Sequence, residues 1–293
     1  MFKGSMVALV TPFTKKNEVD EDALVRLVEF HIKSGTDAVV PCGTTGESAT
    51  LNYEEHERVI DICVRAARKR IPVIAGTGSN STEEAIELSA HAKQSGVDGL
   101  LLVSPYYNRP TQKGLYLHFK EIADKVKLPI ILYNIASRTG VNIEPETFLR
   151  LVQSCKNIVA VKEASGSLDQ MSRIMALCGK KLTMISGDDS LTLPLMSIGG
   201  EGIISVVANI IPRDVKALVV AFNKGRLNEA RRLHYKMLPL IKAAFIETNP
   251  IPVKTAMGLM KMCEPSLRLP MCSMEEANLA KLKSALKKYG LIK

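Results

Sequence analysis

Lys162 is the residue of this sequence best placed to do covalent chemistry. It directly follows the apolar run Ile158-Val159-Ala160-Val161, at the end of an expected buried strand. Burial disfavours the charged ammonium and lowers the pKa of the amine, and a neutral amine can attack a carbonyl carbon to form an imine. An ion pair with a neighbouring acid would also explain a buried lysine, and the position of Lys162 alone does not separate the two interpretations.

Tyr133 ends the preceding apolar run, Pro129-Ile130-Ile131-Leu132, and would therefore neighbour Lys162 in a parallel sheet. A phenol in that place can move protons while a carbinolamine forms and loses water. A core tyrosine with a satisfied hydroxyl is the other interpretation. The adjacency of a lysine and a tyrosine is more informative than either residue alone.

Two loops carry groups that could hold a carboxylate. The loop Gly43-Thr44-Thr45-Gly46-Glu47 follows the second apolar run, and its glycines let backbone N–H groups and hydroxyls converge on an anion. A tight turn would use the same residues. Arg138 follows Tyr133 and could bind a substrate carboxylate through two parallel hydrogen bonds, although a loop arginine is usually just solvated. An imine-forming lysine with a carboxylate clamp suits a 2-keto acid.

These residues lie at or near the ends of apolar runs that recur along the chain. Eight such runs begin near Met6, Ala38, Pro72, Gly99, Pro129, Ile158, Leu182 and Gly202. The runs are continuously apolar, as expected of parallel strands covered on both faces, and amphipathic segments separate them. Eight units favour an α/β fold of the TIM (β/α)8 barrel type, in which functional groups collect at the carboxyl ends of the strands. An open doubly wound sheet is the alternative.

Helix boundaries are marked between these runs. Asn52 followed by Glu55, and Ser81 followed by Glu84, each predict a helix start with a capping box. Gly96 predicts a helix end just before the next strand is due.

The C-terminal part of the chain exceeds what a barrel requires. Helical patterns cover residues 226–246 and 274–289, whereas one helix would complete the eighth unit. We therefore expect a catalytic barrel over residues 1–225 and a C-terminal helical region over residues 226–293, packed on the barrel.

Composition and charge exclude several classes of protein. The 293 residues are 46% hydrophobic and 24% charged, which is ordinary for a packed globular protein. The net charge of +9 comes from dispersed basic residues, so we expect solvated helix faces and no nucleic-acid partner. No apolar segment approaches the roughly 20 residues of a membrane-spanning helix, and no leader pattern precedes the first strand. We expect a cytoplasmic protein without membrane contacts.

The histidines do not indicate a metal site. Most of the five lie within helix patterns, and none has metal-ligand spacing. We expect neither a catalytic metal nor an organic cofactor.

Taken together, the motifs resemble the dihydrodipicolinate synthase family of class I pyruvate-dependent aldolases and lyases. The resemblance extends over essentially the whole chain and rests on the order and spacing of segments 43–47, 104–110, 133–140, 161–164, 186–189 and 249–254. It implies that pyruvate condenses with Lys162 and that the resulting enamine attacks the aldehyde of L-aspartate 4-semialdehyde. The product would be 4-hydroxy-tetrahydrodipicolinate, in the diaminopimelate route to L-lysine.

The resemblance also implies roles for single residues. Tyr133, Thr44 and Tyr107 would form a proton relay, with Tyr107 crossing from a neighbouring subunit, so that the active unit is at least a dimer. Thr45 would bind the carboxylate of pyruvate, and Arg138 that of the semialdehyde.

Further positions match the pocket and the assembly of the family. Gly187 and Ile204 match positions that line the pocket through their main chains. Members are commonly homotetramers built as a dimer of dimers. Ala136 stands where the family often has proline, which should alter the stiffness of that loop more than the chemistry.

Many relatives are inhibited by L-lysine, which binds in a cleft between subunits. The positions of this sequence that match that site are Ser48, Ala49, His56, Asn80, Glu84 and Tyr106. Glu84 could pair with the ammonium group of lysine. Tyr53 stands where a well-known inhibited pattern has histidine, so the resemblance leaves feedback inhibition open.

Two other functions compete with this one. A sister enzyme with the same imine chemistry, such as N-acetylneuraminate lyase or a 2-keto-3-deoxy sugar acid aldolase, would take longer polyhydroxylated substrates and generally differs at the Arg138 loop. A non-catalytic ligand-binding barrel is the remote alternative, and the retained Lys162, Tyr133 and pair of threonines argue against it.

Overall fold

The computed structural model describes residues 2–293 and has eight parallel strands alternating with helices. The strands are β1 (Gly4–Ala8), β2 (Ala38–Val40), β3 (Ile74–Gly76), β4 (Gly99–Val103), β5 (Ile130–Asn134), β6 (Ile158–Glu163), β7 (Thr183–Ser186) and β8 (Gly202–Ser205). The helices are α1 (Glu21–Lys33), α2 (Tyr53–Ala67), α3 (Thr82–Ser95), α4 (Gln112–Val126), α5 (Ala136–Thr139), α6 (Pro145–Ser154), α7 (Leu168–Cys178), α8 (Thr192–Ser197), α9 (Pro212–Asn223), α10 (Leu227–Ala244), α11 (Ile251–Leu259) and α12 (Glu276–Tyr289).

The sheet curls into a barrel. Its strand order is β2-β1-β8-β7-β6-β5-β4-β3, and the two edge strands meet through a parallel bridge between Val39 and Val73. The predicted TIM (β/α)8 barrel is confirmed. The observed strands begin within about two residues of the predicted positions, which is the usual uncertainty of element boundaries.

The strands are apolar on both faces because they separate two cores. Met6, Ile131 and Ile204 point into the barrel, where they belong to a single buried cluster. Val7 and Leu132 point outward into the larger cluster between sheet and helices. Since side chains alternate along a strand, this pattern decides which polar residues near strand ends face the barrel interior.

The predicted helix starts are confirmed, but one capping box is wrong. The N–H of Glu55 donates to the side chain of Asn52 at 2.8 Å, and the Glu55 carboxylate accepts from the N–H of Asn52 at 3.2 Å. Ser81 caps α3 by accepting from the N–H of Glu84 at 3.4 Å. The carboxylate of Glu84 does not reach back to Ser81, because it accepts hydrogen bonds from the hydroxyls of Tyr53 and Ser79. Gly96 ends α3 in the left-handed conformation, as predicted.

The C-terminal segments form helices where the pattern predicts them. Helices α10 and α12 lie within the predicted 226–246 and 274–289, and α11 lies between them. Tyr289 of α12 and Lys236 of α10 both donate to the carboxylate of Asp214 on α9, which ties the last helices to the barrel layer. In residues 2–293 we find no helix with the length and apolar character needed to span a membrane.

Candidate active site

Lys162 and Tyr133 lie side by side inside the carboxyl end of the barrel. They are paired residues of β6 and β5, and the alternation that points Ala160 and Ile131 inward points these two inward as well. The Nζ of Lys162 lies 4.1 Å from the centroid of the Tyr133 ring. The adjacency expected from the sequence is therefore present.

The ammonium of Lys162 is poorly solvated. Its side chain is 4% exposed, and burial lowers the pKa of the amine to about 8. The carboxylate of Asp189 opposes this shift, and the guanidinium of Arg138 adds to it. With a pKa of about 8, roughly one tenth of the amines are neutral at pH 7, which is enough for a nucleophile.

Tyr133 keeps its proton at working pH. Burial raises the pKa of its phenol to about 12, while the charge of Arg138 and the side chain of Thr44 act in the opposite direction. The side chain of Thr44 therefore lies near the phenol of Tyr133. A protonated phenol beside an amine and a hydroxyl can pass a proton without itself ionising.

Asn249 joins the two groups assigned to substrate carboxylates. Its side-chain amide donates to the hydroxyl oxygen of Thr45 at 3.0 Å, and its backbone carbonyl accepts from the guanidinium of Arg138 at 3.1 Å. Thr45 is buried in the loop after β2, and Arg138 lies on the short helix α5 after β5. The sequence analysis quoted Asn249 within a motif but gave it no role, since only the fold brings it more than 100 residues back to Arg138.

Asp189 is a second residue without a role in the sequence analysis. It follows β7 and is buried, and burial raises the pKa of its carboxyl to about 6. The carboxylate accepts hydrogen bonds from the Ser205 hydroxyl and the N–H of Val206, which act in the opposite direction and lower this pKa. Its charge raises the pKa of Lys162, so the two residues are electrostatically coupled. The sequence could have pointed to Asp189, because it is an acidic residue just after a predicted barrel strand, where functional groups collect.

Gly187 and Ile204 lie at the wall of the site. A Cβ on Gly187 would come within 3.1 Å of the Cγ of Lys162 and 2.8 Å of the Cβ of Ala164. Gly187 therefore leaves room for the lysine side chain. Ile204 is fully buried in the barrel interior, in the same cluster as Tyr133.

The side chain of Tyr107 projects into solvent from its own chain. Its side chain is 90% exposed, and its backbone adopts a left-handed conformation with φ of 73°. Tyr106, directly before it, is 39% exposed. A large aromatic side chain held almost entirely in solvent is typical of an interface residue.

A cleft of about 370 Å³ opens beside the site. Its lining includes Thr44 and Arg138, and also five of the residues that match the L-lysine site, namely Ser48, Ala49, His56, Glu84 and Tyr106. The sixth, Asn80, is not among the lining residues, and its carbonyl accepts from the side-chain amide of Asn108 at 2.9 Å. Tyr53 also lines the cleft and donates its hydroxyl to Glu84 at 2.7 Å.

Comparison with known proteins agrees with this geometry. The profile of the Dihydrodipicolinate synthetase family matches residues 1–289. The chain belongs to this family. A 4-hydroxy-tetrahydrodipicolinate synthase of Geotalea uraniireducens is 60% identical over 292 residues, which cover 100% of both chains. The family resemblance of the motifs is thus confirmed.

Solved structures of the family have the same fold. The crystal structure of dihydrodipicolinate synthase from Aquifex aeolicus superposes with a TM-score of 0.97 at 54% identity, covering 99% of each chain. The chloride-inhibited enzyme of Acinetobacter baumannii, solved with pyruvate, has a TM-score of 0.97 at 45% identity and full coverage of both chains. DHDPS of Cyanidioschyzon merolae, solved with lysine bound, has a TM-score of 0.96 at 41% identity and 99% coverage of both.

Proposed function

We propose that Lys162 forms a Schiff base with pyruvate and that the protein thereby acts as a 4-hydroxy-tetrahydrodipicolinate synthase, a lyase of the diaminopimelate route to L-lysine. The activity follows from the full-length identity with curated enzymes of that name. The assignment of the nucleophile rests on one observation, the buried Lys162 with its lowered pKa paired with Tyr133 across β5 and β6.

The first half-reaction builds a carbon nucleophile. The neutral amine of Lys162 attacks the keto carbon of pyruvate, and proton transfer gives a carbinolamine, which loses water to form the protonated imine. The imine carbon withdraws electrons, so a proton leaves the methyl carbon and an enamine results. Tyr133 and Thr44 are adjacent and can carry the protons that pass between amine, hydroxyl and leaving water.

The second half-reaction forms the carbon–carbon bond. The enamine carbon attacks the aldehyde carbon of L-aspartate 4-semialdehyde, and the aldehyde oxygen takes up a proton. The amine of the semialdehyde then replaces the amine of Lys162 at the imine carbon, which closes the ring and frees the lysine. We assign the pyruvate carboxylate to Thr45 and the semialdehyde carboxylate to Arg138, two residues that Asn249 holds in a fixed relation.

We assign Tyr107 to the active site of a neighbouring subunit. Its side chain is 90% exposed on its own chain, which suits a residue that completes a relay elsewhere. This requires at least a dimer, and a homotetramer is the assembly expected from the family resemblance. The cytoplasmic location and the division of the chain at residue 225 remain predictions.

The cleft residues support L-lysine as an inhibitor. His56 donates its Nε2 proton to the carbonyl of Gly76 at 2.8 Å, which leaves its buried Nδ1 as an acceptor without a partner in residues 2–293. Glu84 supplies a carboxylate in the same cleft. An acceptor and an acid together suit an ammonium group.

Borohydride trapping tests the nucleophile. Pyruvate and borohydride are added to the protein, the mixture is digested, and the lysine that carries the reduced adduct is found by mass spectrometry. We expect the adduct on Lys162 and its loss in Lys162→Arg, while Lys254→Met, which changes the other fully buried lysine, keeps the label on residue 162. Labelling at any other lysine would refute the assignment.

Turnover separates this activity from the sister enzymes. We expect condensation of pyruvate with L-aspartate 4-semialdehyde and little reaction with sugar-derived aldehydes, because Arg138 is charged and close to Lys162 and Tyr133. A chelator should leave the rate unchanged, since in the proposed mechanism the imine with Lys162 activates pyruvate and no metal ion takes part. Preference for the sugar-derived aldehydes would favour the sister-enzyme alternative.

A further inference from the structure

A buried ion pair involves the loop of residues 43–47, which follows β2 and carries Thr44 and Thr45, hereafter the threonine loop. Lys254 of α11 is 0% exposed, and its Nζ lies 2.5 Å from Oε1 of Glu47, which is 4% exposed. Glu47 comes two residues after Thr45, and its backbone has the left-handed φ of 52° that non-glycine residues rarely adopt. Neither charge reaches solvent, so each depends on the other.

The second oxygen of Glu47 is also occupied. It accepts from the backbone N–H of Arg268 at 3.1 Å. The ring of Phe13 lies under both cations, with its centroid 4.0 Å from Nζ of Lys254 and 4.3 Å from Cζ of Arg268. The carboxylate and the lysine are therefore almost completely enclosed by protein groups.

The C-terminal region contacts residues 45–50 through three separate residues. Asn249, just before α11, donates to Thr45, and Lys254 pairs with Glu47. Arg268 donates through Nη1 to the carbonyl of Thr50 at 2.9 Å. The contacted segment, residues 45–50, directly follows Thr44 and includes Thr45.

Stability alone is a weak reason for such a pair. Burying two charges costs free energy that their attraction repays only in part, and an apolar pair of similar volume is often as stable or more so. What an apolar pair lacks is a fixed direction, because a hydrogen-bonded ion pair sets both the distance and the angle between two backbones. The threonine loop needs such precision, since it presents hydroxyls to a small keto acid.

We propose that Glu47 and Lys254 are positioning residues that hold the threonine loop in the geometry for binding pyruvate. The pair does not touch substrate; it fixes Thr44 and Thr45 from behind, through α11. The C-terminal helical region is therefore part of the machinery of the barrel. This inference rests on the proposed function, since it concerns the pyruvate subsite of that reaction.

The test compares Glu47→Gln, Lys254→Met and the double variant Glu47→Gln/Lys254→Met in the full-length protein. Each single change leaves one buried charge unpaired, whereas the double variant has none. We expect both single variants to raise the KM for pyruvate about tenfold or more, with a smaller change in the KM for the semialdehyde and in kcat. In the double variant we expect the melting temperature to recover toward the native value while the KM for pyruvate stays raised.

Asp37→Asn is the control, in an ion pair whose side chains are each 30% exposed. Asp37 pairs with Lys216 at 2.5 Å and accepts from the N–H of Ser5, at the amino end of the strands and so on the opposite side of the barrel. This variant should lower the melting temperature and leave both KM values unchanged.

Three outcomes would overturn the proposal. The first is folded single variants with an unchanged KM for pyruvate, and the second is a double variant in which KM and melting temperature recover together. The third is failure of all three variants to fold, which would assign the pair to folding alone. Wild-type protein trapped with pyruvate and borohydride keeps the questions apart, since absence of an adduct there would count against the proposed function itself.

Discussion

Asp189 and Lys162 lie buried at the carboxyl ends of neighbouring strands, and the carboxylate of Asp189 raises the pKa of the Lys162 amine against the larger effect of burial. Burial lowers the pKa of Lys162 to about 8, and the Asp189 carboxylate keeps it from falling further. Burial also raises the pKa of Asp189 to about 6, so this carboxyl is ionised only above mildly acidic pH. The pKa of the nucleophile is therefore influenced by a carboxylate from the loop after the neighbouring strand β7.

The rate of imine formation should follow the titration of Lys162. Since only the neutral amine attacks, we expect the rate to rise about tenfold per pH unit between about pH 6 and pH 8, to rise less steeply below about pH 6 where Asp189 becomes protonated, and to level off above pH 8. In Asp189→Asn, loss of the carboxylate removes the interaction that raises the pKa of Lys162, so the midpoint should move to lower pH. Stopped-flow or borohydride trapping across pH 5 to about 10 measures both profiles. A midpoint that stays in place in Asp189→Asn, or moves upward, would contradict the coupling.

Tyr133→Phe should separate proton transfer from packing. The phenol hydroxyl is lost while the ring that lies against Lys162 remains, so we expect a fall in kcat of about 10²–10⁴-fold with a native melting temperature. Thr44→Val, which removes the neighbouring hydroxyl at similar volume, should also lower kcat. Native kcat in Tyr133→Phe would remove the phenol from the relay.

Tyr107 gives a prediction about assembly. Tyr107→Phe and Lys162→Arg should each be nearly inactive as homo-oligomers. After the two proteins are mixed, dissociated and reassembled, hybrid molecules should contain some sites with both Lys162 and a partner's native tyrosine. We therefore expect activity to return in the mixture, measured as condensation rate against mixing ratio. A mixture as inactive as its components, with hybrids shown by mass spectrometry, would place Tyr107 in the site of its own chain, whereas an active Tyr107→Phe homo-oligomer would place it outside the site.

The sequence was informative where local pattern and function coincide. Lys162 and Tyr133 each follow an apolar run, and alternation along neighbouring strands is enough to bring them together. Glu84 was misassigned as the reciprocal half of a capping box, because its carboxylate bonds instead to Tyr53, 31 residues away at the start of α2, and to Ser79 in the loop before α3. The pairing of Lys254 with Glu47 spans 207 residues, so no local pattern could reveal it.

Tyr53 should weaken the response to L-lysine. Its hydroxyl donates to Oε1 of Glu84 at 2.7 Å, and Ser79 donates to Oε2, so each oxygen of the acid already accepts one hydrogen bond. This contact raises the pKa of the Tyr53 phenol to about 12, so it remains a donor at working pH. An incoming ammonium must compete with it for this oxygen. We expect Tyr53→Phe to lower the L-lysine concentration for half-inhibition several-fold, measured in the condensation assay and by calorimetric titration.

Two further variants define the role of the acid. Glu84→Gln should abolish most binding of L-lysine, because the ammonium loses its counter-charge, and should leave kcat without inhibitor unchanged. Tyr53→His introduces the residue of the well-known inhibited pattern and should strengthen inhibition as Tyr53→Phe does, since either change removes the phenol that donates to Oε1 of Glu84. If both Tyr53 variants respond to L-lysine as the native protein does, then the phenol does not compete for Glu84, and the position of the ammonium would have to be sought elsewhere in the cleft.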